Sequence, residues 1–233
     1  MCGTNPMTNT NRRHWLAAVA ASGVVAARSS WGRASSPDRA PTADMSPVEA
    51  LDFLRAGNTR FVAGRSAAPN RDIGRLREVA PRQTPFAAFL GCADSRVPIE
   101  IVFDQGFGDL FVTRIAGNVA ATENIASLEF ATEVLGAKVL YVLGHTSCGA
   151  VTAAAKAAPV PGQISALFQH IRPAVRAAKG DVTAAIHENV RLQAQTLVEG
   201  STVISSLVSS GKVIVAGGVF DLETGLVETI DLA

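Results

Sequence analysis

Two short stretches of the sequence carry residue types that bind transition metals. The first has the pattern Cys-x-Asp-x-Arg from Cys92 to Arg96, and the second has the pattern His-x-x-Cys from His145 to Cys148. The second pattern lets two ligands reach one ion from a single turn, and Cys92 can join them if the strands before the two turns are neighbours. Two thiolates and an imidazole leave the fourth tetrahedral position of zinc open, which is typical of a catalytic site. We therefore predict that Cys92, His145 and Cys148 bind Zn²⁺.

Asp94 has two possible roles beside such a metal. Its carboxylate could fill the fourth ligand position, or it could pair with Arg96, whose guanidinium forms a two-bonded fork with a carboxylate. A paired Asp94 would accept a hydrogen bond from the attacking water and orient it, with Arg96 fixing the carboxylate. An ordinary structural salt bridge is the remaining alternative.

Alternating strands and helices position the two turns. Short apolar runs rich in β-formers predict buried strands, and the longer segments between them have helical periodicity. This order predicts an α/β fold with a mostly parallel four-stranded sheet, a fifth antiparallel edge strand, helices on both faces and an N-terminal helical arm. Both turns then lie at carboxyl ends of parallel strands, where open α/β sheets build their ligand sites. The predicted strands are 86–91, 110–115, 138–143, 212–217 and 226–230, and the predicted helices are 46–63, 123–135, 149–157, 163–178 and 182–208, the last broken at Gly200.

The first forty residues differ from the rest. Arg12 and Arg13 precede an apolar stretch of about thirteen residues, which Ser- and Arg-rich sequence follows. This order is typical of an export signal, the arginine pair resembles a twin-arginine signal, and the stretch falls short of the ~20 residues of a membrane span. We expect residues 1–40 to be an export signal or a disordered segment, with cleavage near Ser35, a periplasmic location and no permanent membrane span; a cytoplasmic location is the alternative. Residues 41–233 would form the catalytic domain.

Composition excludes two further classes of protein. The 233 residues carry a net charge of +1 and no long basic block, so we expect no nucleic-acid partner. Three cysteines are too few for a disulfide-stapled domain.

The two motifs resemble the signatures of the β-carbonic anhydrases and match them at every defining position. The similarity extends from about Ser46 to the C-terminus, and it includes Ala116-Gly117-Asn118, Glu129-Phe130 and the segment 218–225. The resemblance implies a zinc enzyme that interconverts carbon dioxide and bicarbonate. It also implies a homodimer or homotetramer in which an N-terminal helix embraces the partner subunit.

The resemblance further implies roles for individual residues. Cys92, His145 and Cys148 match the zinc ligands, and Asp94 with Arg96 matches the catalytic pair, Asp94 being the alternative fourth ligand of an inactive state. Gln83 matches a glutamine that hydrogen-bonds the substrate, and three residues match the lining of an apolar carbon dioxide pocket, some of them contributed across the dimer interface. From sequence alone, core packing would explain those three equally well. The residues placed at the substrate are Gln83, Phe111, Ala116, Phe130 and Gly149.

Two other functions and one regulatory question remain open. Relatives with the same motifs hydrolyse carbonyl sulfide or carbon disulfide, and a zinc-binding protein without turnover is the less favoured alternative, since a closed structural site would need a fourth Cys or His. Some family members bind regulatory bicarbonate with a Trp, an Arg and a Tyr. The matching residues here are Phe89, Arg114 and Phe220, so we predict that this regulatory site is lacking.

Overall fold

Five strands form a single sheet in the part of the chain that the computed structural model describes, residues 45–157 and 159–232. The predictions for residues 1–40 lie outside that part. Strands β1 to β4 are parallel, and β5 pairs antiparallel with β4, in the order β2-β1-β3-β4-β5. The predicted sheet is therefore confirmed. Its strands are β1 (Ala87–Gly91), β2 (Leu110–Arg114), β3 (Val139–His145), β4 (Ile214–Phe220) and β5 (Val227–Ile230).

Helices cover both faces of the sheet, as predicted, and each face has its own hydrophobic core. The predicted break at Gly200 is present: α7 ends at Glu199, and Ser201 caps α8 by accepting from the Ile204 N–H. The helices are α1 (Pro47–Val62), α2 (Ile73–Val79), α3 (Ile99–Val102), α4 (Thr122–Glu129), α5 (Gly149–Lys156), α6 (Phe168–Ala177), α7 (Val182–Glu199) and α8 (Thr202–Ser209), with a π-helical turn at Phe130–Val134 and a 3₁₀ turn at Ile164–Leu167.

Helix α1 is the predicted N-terminal helix. Ser46 and Glu49 form a reciprocal capping box, in which each side chain accepts from the other residue's backbone N–H, and Pro47 occupies the first turn. The helix lies so close to the chain at Phe103 that a Cβ on Gly57 would be 1.9 Å from the Phe103 carbonyl oxygen. Only glycine therefore fits at this crossing.

Three details differ from the sequence prediction. Helices α2 and α3 were not predicted, because seven and four residues are too few to show helical periodicity. The predicted helix 123–135 changes to π-helical hydrogen bonding at Phe130. Strand β4 starts two residues later than predicted and extends to Phe220. No helix among the described residues is both long and apolar enough to cross a membrane.

Candidate active site

The register of β1 and β3 brings the two sequence motifs together. Gly91 lies opposite Leu143, so Cys92 follows β1 beside the end of β3, where His145 is the last residue. The ligand atoms of Cys92, His145 and Cys148 all lie within 4.8 Å of one another, and all three residues are buried. The strands before the two turns are thus neighbours, which is the condition that a shared metal site required.

The imidazole of His145 is oriented for metal binding. Its Nδ1 lies 2.9 Å from the Thr146 carbonyl oxygen, which can only accept a hydrogen bond, so Nδ1 carries a proton. In the neutral imidazole, Nε2 then keeps the lone pair that a metal ion would use. Nε2 is buried and has no hydrogen-bond partner. A buried polar atom without a partner is costly. A metal ion bound at Nε2 would remove that cost, and the Nδ1 hydrogen bond is the support that ligating histidines usually have.

A hydrogen bond couples the thiols of Cys92 and Cys148. The hydrogen bond from Cys148 lowers the pKa of the Cys92 thiol to about 4, and the same hydrogen bond, together with burial, raises the pKa of the Cys148 thiol. The backbone N–H of Gly117 also donates to Cys92 Sγ, at 3.3 Å. The pair therefore favours the thiolate at Cys92, and metal binding by both sulfurs would require Cys148 to lose its proton as well.

The residues present fit a zinc ion. Two sulfurs and one imidazole nitrogen are the donor set that zinc favours over magnesium or calcium, which prefer oxygen. Burial lowers the pKa of His145, but the adjoining Cys92 sulfur and the Thr146 carbonyl oxygen outweigh that effect and raise it. The negative charge that attracts a proton to this cluster would equally attract a divalent cation.

Asp94 pairs with Arg96 in this structure. Arg96 Nε donates to Oδ1 at 2.9 Å and Nη2 donates to Oδ2 at 2.8 Å. Asp94 Oδ2 also lies 3.8 Å from His145 Nε2, so the carboxylate borders the metal-binding cluster. The hydrogen bonds from Arg96 hold the pKa of Asp94 well below its usual range. Of the two arrangements considered for Asp94, metal ligand or partner of Arg96, the structure shows the pairing with Arg96.

Arg114, at the end of β2, supports the first motif through its backbone. Its Nε donates to the Cys92 carbonyl oxygen at 3.0 Å, and its Nη2 donates to the Asp94 carbonyl oxygen. The guanidinium therefore fixes the turn that carries a predicted ligand and the predicted orienting carboxylate. This role of Arg114 was not predicted, because a contact with backbone carbonyl oxygens leaves no spacing signal in the sequence.

Two of the five predicted substrate residues, Ala116 and Gly149, adjoin residues that belong to the cluster or contact it. Ala116 immediately precedes Gly117, whose amide donates to Cys92, and Gly149 directly follows Cys148 at the start of α5. The rings of Phe111 and Phe130 are 6.4 Å apart, and Phe130 is 46% exposed. An exposed aromatic ring argues against simple core packing at that position.

Gln83 is not near the cluster of its own chain. It is exposed and lies before β1, whereas Cys92 follows the other end of the same strand. Five residues of strand separate the two by roughly 15 Å. The role of Gln83 at the substrate stays a prediction, and it would have to be met at the cluster of a neighbouring subunit.

Comparison with known proteins adds independent evidence. The family model described as carbonic anhydrase matches residues 87–227, and carbonic anhydrase 2 of Mycobacterium tuberculosis is 37% identical over 77% of this chain and 90% of its own length. The chain belongs to the β-carbonic anhydrase family. It is therefore an enzyme of the carbonic anhydrase type, as the motif resemblance implied.

Solved β-carbonic anhydrases have the same fold. The enzyme of Aspergillus fumigatus superposes with a TM-score of 0.64 at 25% identity, covering 78% of this chain and 91% of that one. A tetrameric β-carbonic anhydrase of Sordaria macrospora superposes with a TM-score of 0.63 at 19% identity, covering 77% and 95%. The sheet that positions the candidate site therefore belongs to the fold that these β-carbonic anhydrases share.

Proposed function

We propose that this enzyme catalyses the zinc-dependent reversible hydration of carbon dioxide to bicarbonate and a proton. One observation carries the zinc assignment: Cys92, His145 and Cys148 converge within 4.8 Å, with the Asp94 carboxylate 3.8 Å from the free His145 nitrogen. When bound, a zinc ion acts as a Lewis acid that makes water nucleophilic near neutral pH.

Asp94 orients the attacking water. Its lowered pKa keeps the carboxylate ionised, so it accepts a hydrogen bond and cannot donate one. A carboxylate of such low basicity is a poor general base near neutral pH, and its contribution is therefore orientation. Arg96 donates twice to Oδ1, through Nε and its backbone N–H, but only once to Oδ2. The remaining lone pair of Oδ2 is therefore the one that can accept from the water. Release of Asp94 from Arg96 would allow it to become the fourth metal ligand of an inactive state.

The apolar side of the site would hold carbon dioxide. Phe111, Ala116 and Phe130 offer hydrocarbon surface to a linear substrate without a net dipole, and Gly149 leaves open space beside Cys148, since no atom lies within 4 Å of a Cβ built there. Gln83 would serve a neighbouring subunit's site, so this assignment requires a dimer or a tetramer. The exposed Phe130 ring is compatible with a subunit interface.

Stopped-flow hydration of carbon dioxide by the zinc-loaded full chain tests the proposal. Turnover is expected in the wild type. Cys148→Ser should lose both turnover and the metal, whereas Asp94→Asn should lose turnover but retain the metal. Turnover of carbonyl sulfide or carbon disulfide without carbon dioxide hydration would favour the hydrolase alternative. Bound zinc without turnover of any of the three would favour the non-catalytic one.

We also propose that residues 1–40 direct export to the periplasm. The support is the order of a twin-arginine pair, an apolar stretch and a small-residue segment. Fractionation of a bacterium expressing the full chain should find the enzyme in the periplasm. Lysine at both Arg12 and Arg13 should retain it in the cytoplasm, and equal periplasmic amounts of both proteins would contradict this assignment.

A further inference from the structure

Two buried amides of α7 lie in a helical stripe that is otherwise apolar. Asn189 and Gln193 are four residues apart, on one side of the helix, and each is 1% exposed. Burying an amide side chain is costly unless its polar atoms are hydrogen-bonded. The neighbouring positions of the stripe are Ile186, Val190, Ala194 and Leu197.

Both amides bind the loop that follows β2. Asn189 Nδ2 donates to the Gly117 carbonyl oxygen at 2.9 Å, and Gln193 Oε1 accepts from the Ala120 N–H at 2.8 Å. Gln193 Nε2 donates to Asn189 Oδ1 at 3.0 Å, which fixes the orientation of the Asn189 amide. Helix α7 therefore holds the loop at two points, three residues apart.

The loop that α7 holds also contacts a predicted metal ligand. The Asn118 N–H donates to the Ile115 carbonyl oxygen at 2.9 Å, and Gly117 has a φ of +76°, which a type II turn requires at its third position. A Cβ on Gly117 would lie 2.7 Å from Ile171 Cδ1, so a side chain here would have to displace Ile171. In this conformation the Gly117 N–H points at Cys92 Sγ, 3.3 Å away.

We propose that Asn189 is a positioning residue of the metal centre, acting through Gly117 on the Cys92 sulfur. By holding the Gly117 carbonyl, Asn189 fixes the Gly117 N–H against the thiolate, and this hydrogen bond withdraws electron density from the sulfur. Hydrogen bonds to ligating cysteine sulfurs tune metal sites in this way. The inference rests on the proposed metal site and adds a residue outside both motifs that adjusts its electronic character.

Asn58 is a matched control for the effect of losing a buried amide. It is 4% exposed, it lies on α1 in the core of the other sheet face, and its Nδ2 donates to the Val102 and Gly225 carbonyl oxygens at 3.1 and 2.9 Å. Asn58→Leu should therefore lower thermal stability much as Asn189→Leu does. It should leave the metal centre unchanged, because the hydrogen bonds of Asn58 are made to Val102, Gly225 and Val227 and not to the loop that donates to Cys92.

The absorption spectrum of the cobalt-substituted full chain distinguishes a positioning role from a merely structural one. Loss of the hydrogen bond makes the sulfur electrons easier to transfer to the metal, so the thiolate-to-cobalt charge-transfer band of Asn189→Leu should move to longer wavelength. Asn58→Leu should keep the wild-type band. An unmoved band in cobalt-loaded Asn189→Leu, or an equal shift in Asn58→Leu, would overturn the proposal.

A measurement on the wild type keeps the proposal testable if Asn189→Leu does not fold. With ¹¹³Cd bound in place of zinc, the Gly117 amide proton should show scalar coupling to the metal through Cys92 Sγ; absence of that coupling overturns the inference. A wild type that binds neither cobalt nor cadmium would instead overturn the proposed metal site, and the inference with it. If the cobalt-loaded wild type hydrates carbon dioxide but its spectrum is identical to that of Asn189→Leu, the proposed function stands. Only the role of Asn189 is then rejected.

Discussion

Arg96 holds Asp94 by two side-chain hydrogen bonds of nearly equal length, 2.9 Å to Oδ1 and 2.8 Å to Oδ2. The backbone N–H of Arg96 adds a third bond, 3.0 Å to Oδ1. Because both oxygens are held, the carboxylate cannot turn towards His145 without losing side-chain bonds. The pair therefore determines whether Asp94 orients water or approaches the metal.

Arg96→Lys should lower kcat about 10- to 100-fold, the usual effect of losing a supporting contact at a metal centre. A lysine ammonium is a compact charge that cannot reproduce the planar two-bonded fork. Stopped-flow carbon dioxide hydration measures the loss, and metal analysis should find the zinc content unchanged. Arg77→Lys, an exposed substitution on α2, is the control and should have wild-type kcat. Wild-type turnover in Arg96→Lys would show that the fork is not needed.

The sequence predicted the parts of the fold that have long or repeated patterns. Four apolar runs and the long helices α1 and α7 show clear patterns, and the polar segment after Asp221 predicted the final hairpin. The prediction that all four parallel strands are buried was wrong for β2, which lies at the sheet edge and is only half-buried. The π-helical turn at Phe130 was beyond such reasoning, because apolar spacing does not distinguish hydrogen bonds to the fourth residue from those to the fifth. Tertiary packing determines that choice.

The site was predictable to the extent that side chains themselves carry the chemistry. Cys92, His145 and Cys148 are recognisable by type and spacing. Arg114 and Asn189 act through backbone carbonyl oxygens, which have no residue identity, so the motifs gave no sign of them. Asparagine and glutamine within the apolar stripe of α7 were a usable signal, since buried amides need specific partners.

Arg114→Met should weaken zinc binding and lower kcat/KM, each by about 10- to 100-fold. Methionine keeps much of the apolar stem but donates no hydrogen bond, so the Cys92 and Asp94 carbonyl oxygens lose their shared partner. Competition with a chromophoric zinc chelator measures the affinity. Arg65→Met, at an exposed position between α1 and α2, is the control and should have the zinc affinity and kcat/KM of the wild type. Unchanged zinc affinity in Arg114→Met would mean that the turn keeps its shape without the guanidinium.

Bicarbonate dehydration should depend hyperbolically on bicarbonate concentration. Two of the positions matching the regulatory site are apolar: Phe89 is fully buried, with its ring 5.2 Å from that of Tyr141, and Phe220 is 5% exposed. The third, Arg114, already donates to two carbonyl oxygens. Initial rates over a wide bicarbonate range measure the curve. A sigmoidal curve that Arg114→Met makes hyperbolic would show that a regulatory anion site is present after all.

A buried carboxylate ties α1 and the segment after it to the sheet domain. Asp104 has no exposed side-chain surface, and it accepts from Arg60 Nε at 2.7 Å and from the Ala67 and Ala68 N–H groups at 2.9 and 2.8 Å. Burial raises the pKa of Asp104, but the hydrogen bonds from Arg60 and the two amides outweigh it and lower the pKa below the ordinary value. The folded state therefore favours the ionised form.

Asp104→Asn should lower the free energy of unfolding by about 3 kcal/mol at pH 7, because it removes a fully buried carboxylate and leaves the half-buried Arg60 charge without its partner. A lowered pKa stabilises the fold above the unfolded-state value near 3.9, and that contribution is lost as pH falls through the lower folded-state value. The difference between wild type and variant should thus be constant from pH 7 to about pH 5 and shrink below about pH 4. Urea unfolding across this range measures it, with the exposed Asp52→Asn expected to cost less than about 0.5 kcal/mol. A difference that stays constant down to pH 3 would mean that the ionised carboxylate is not what stabilises this contact.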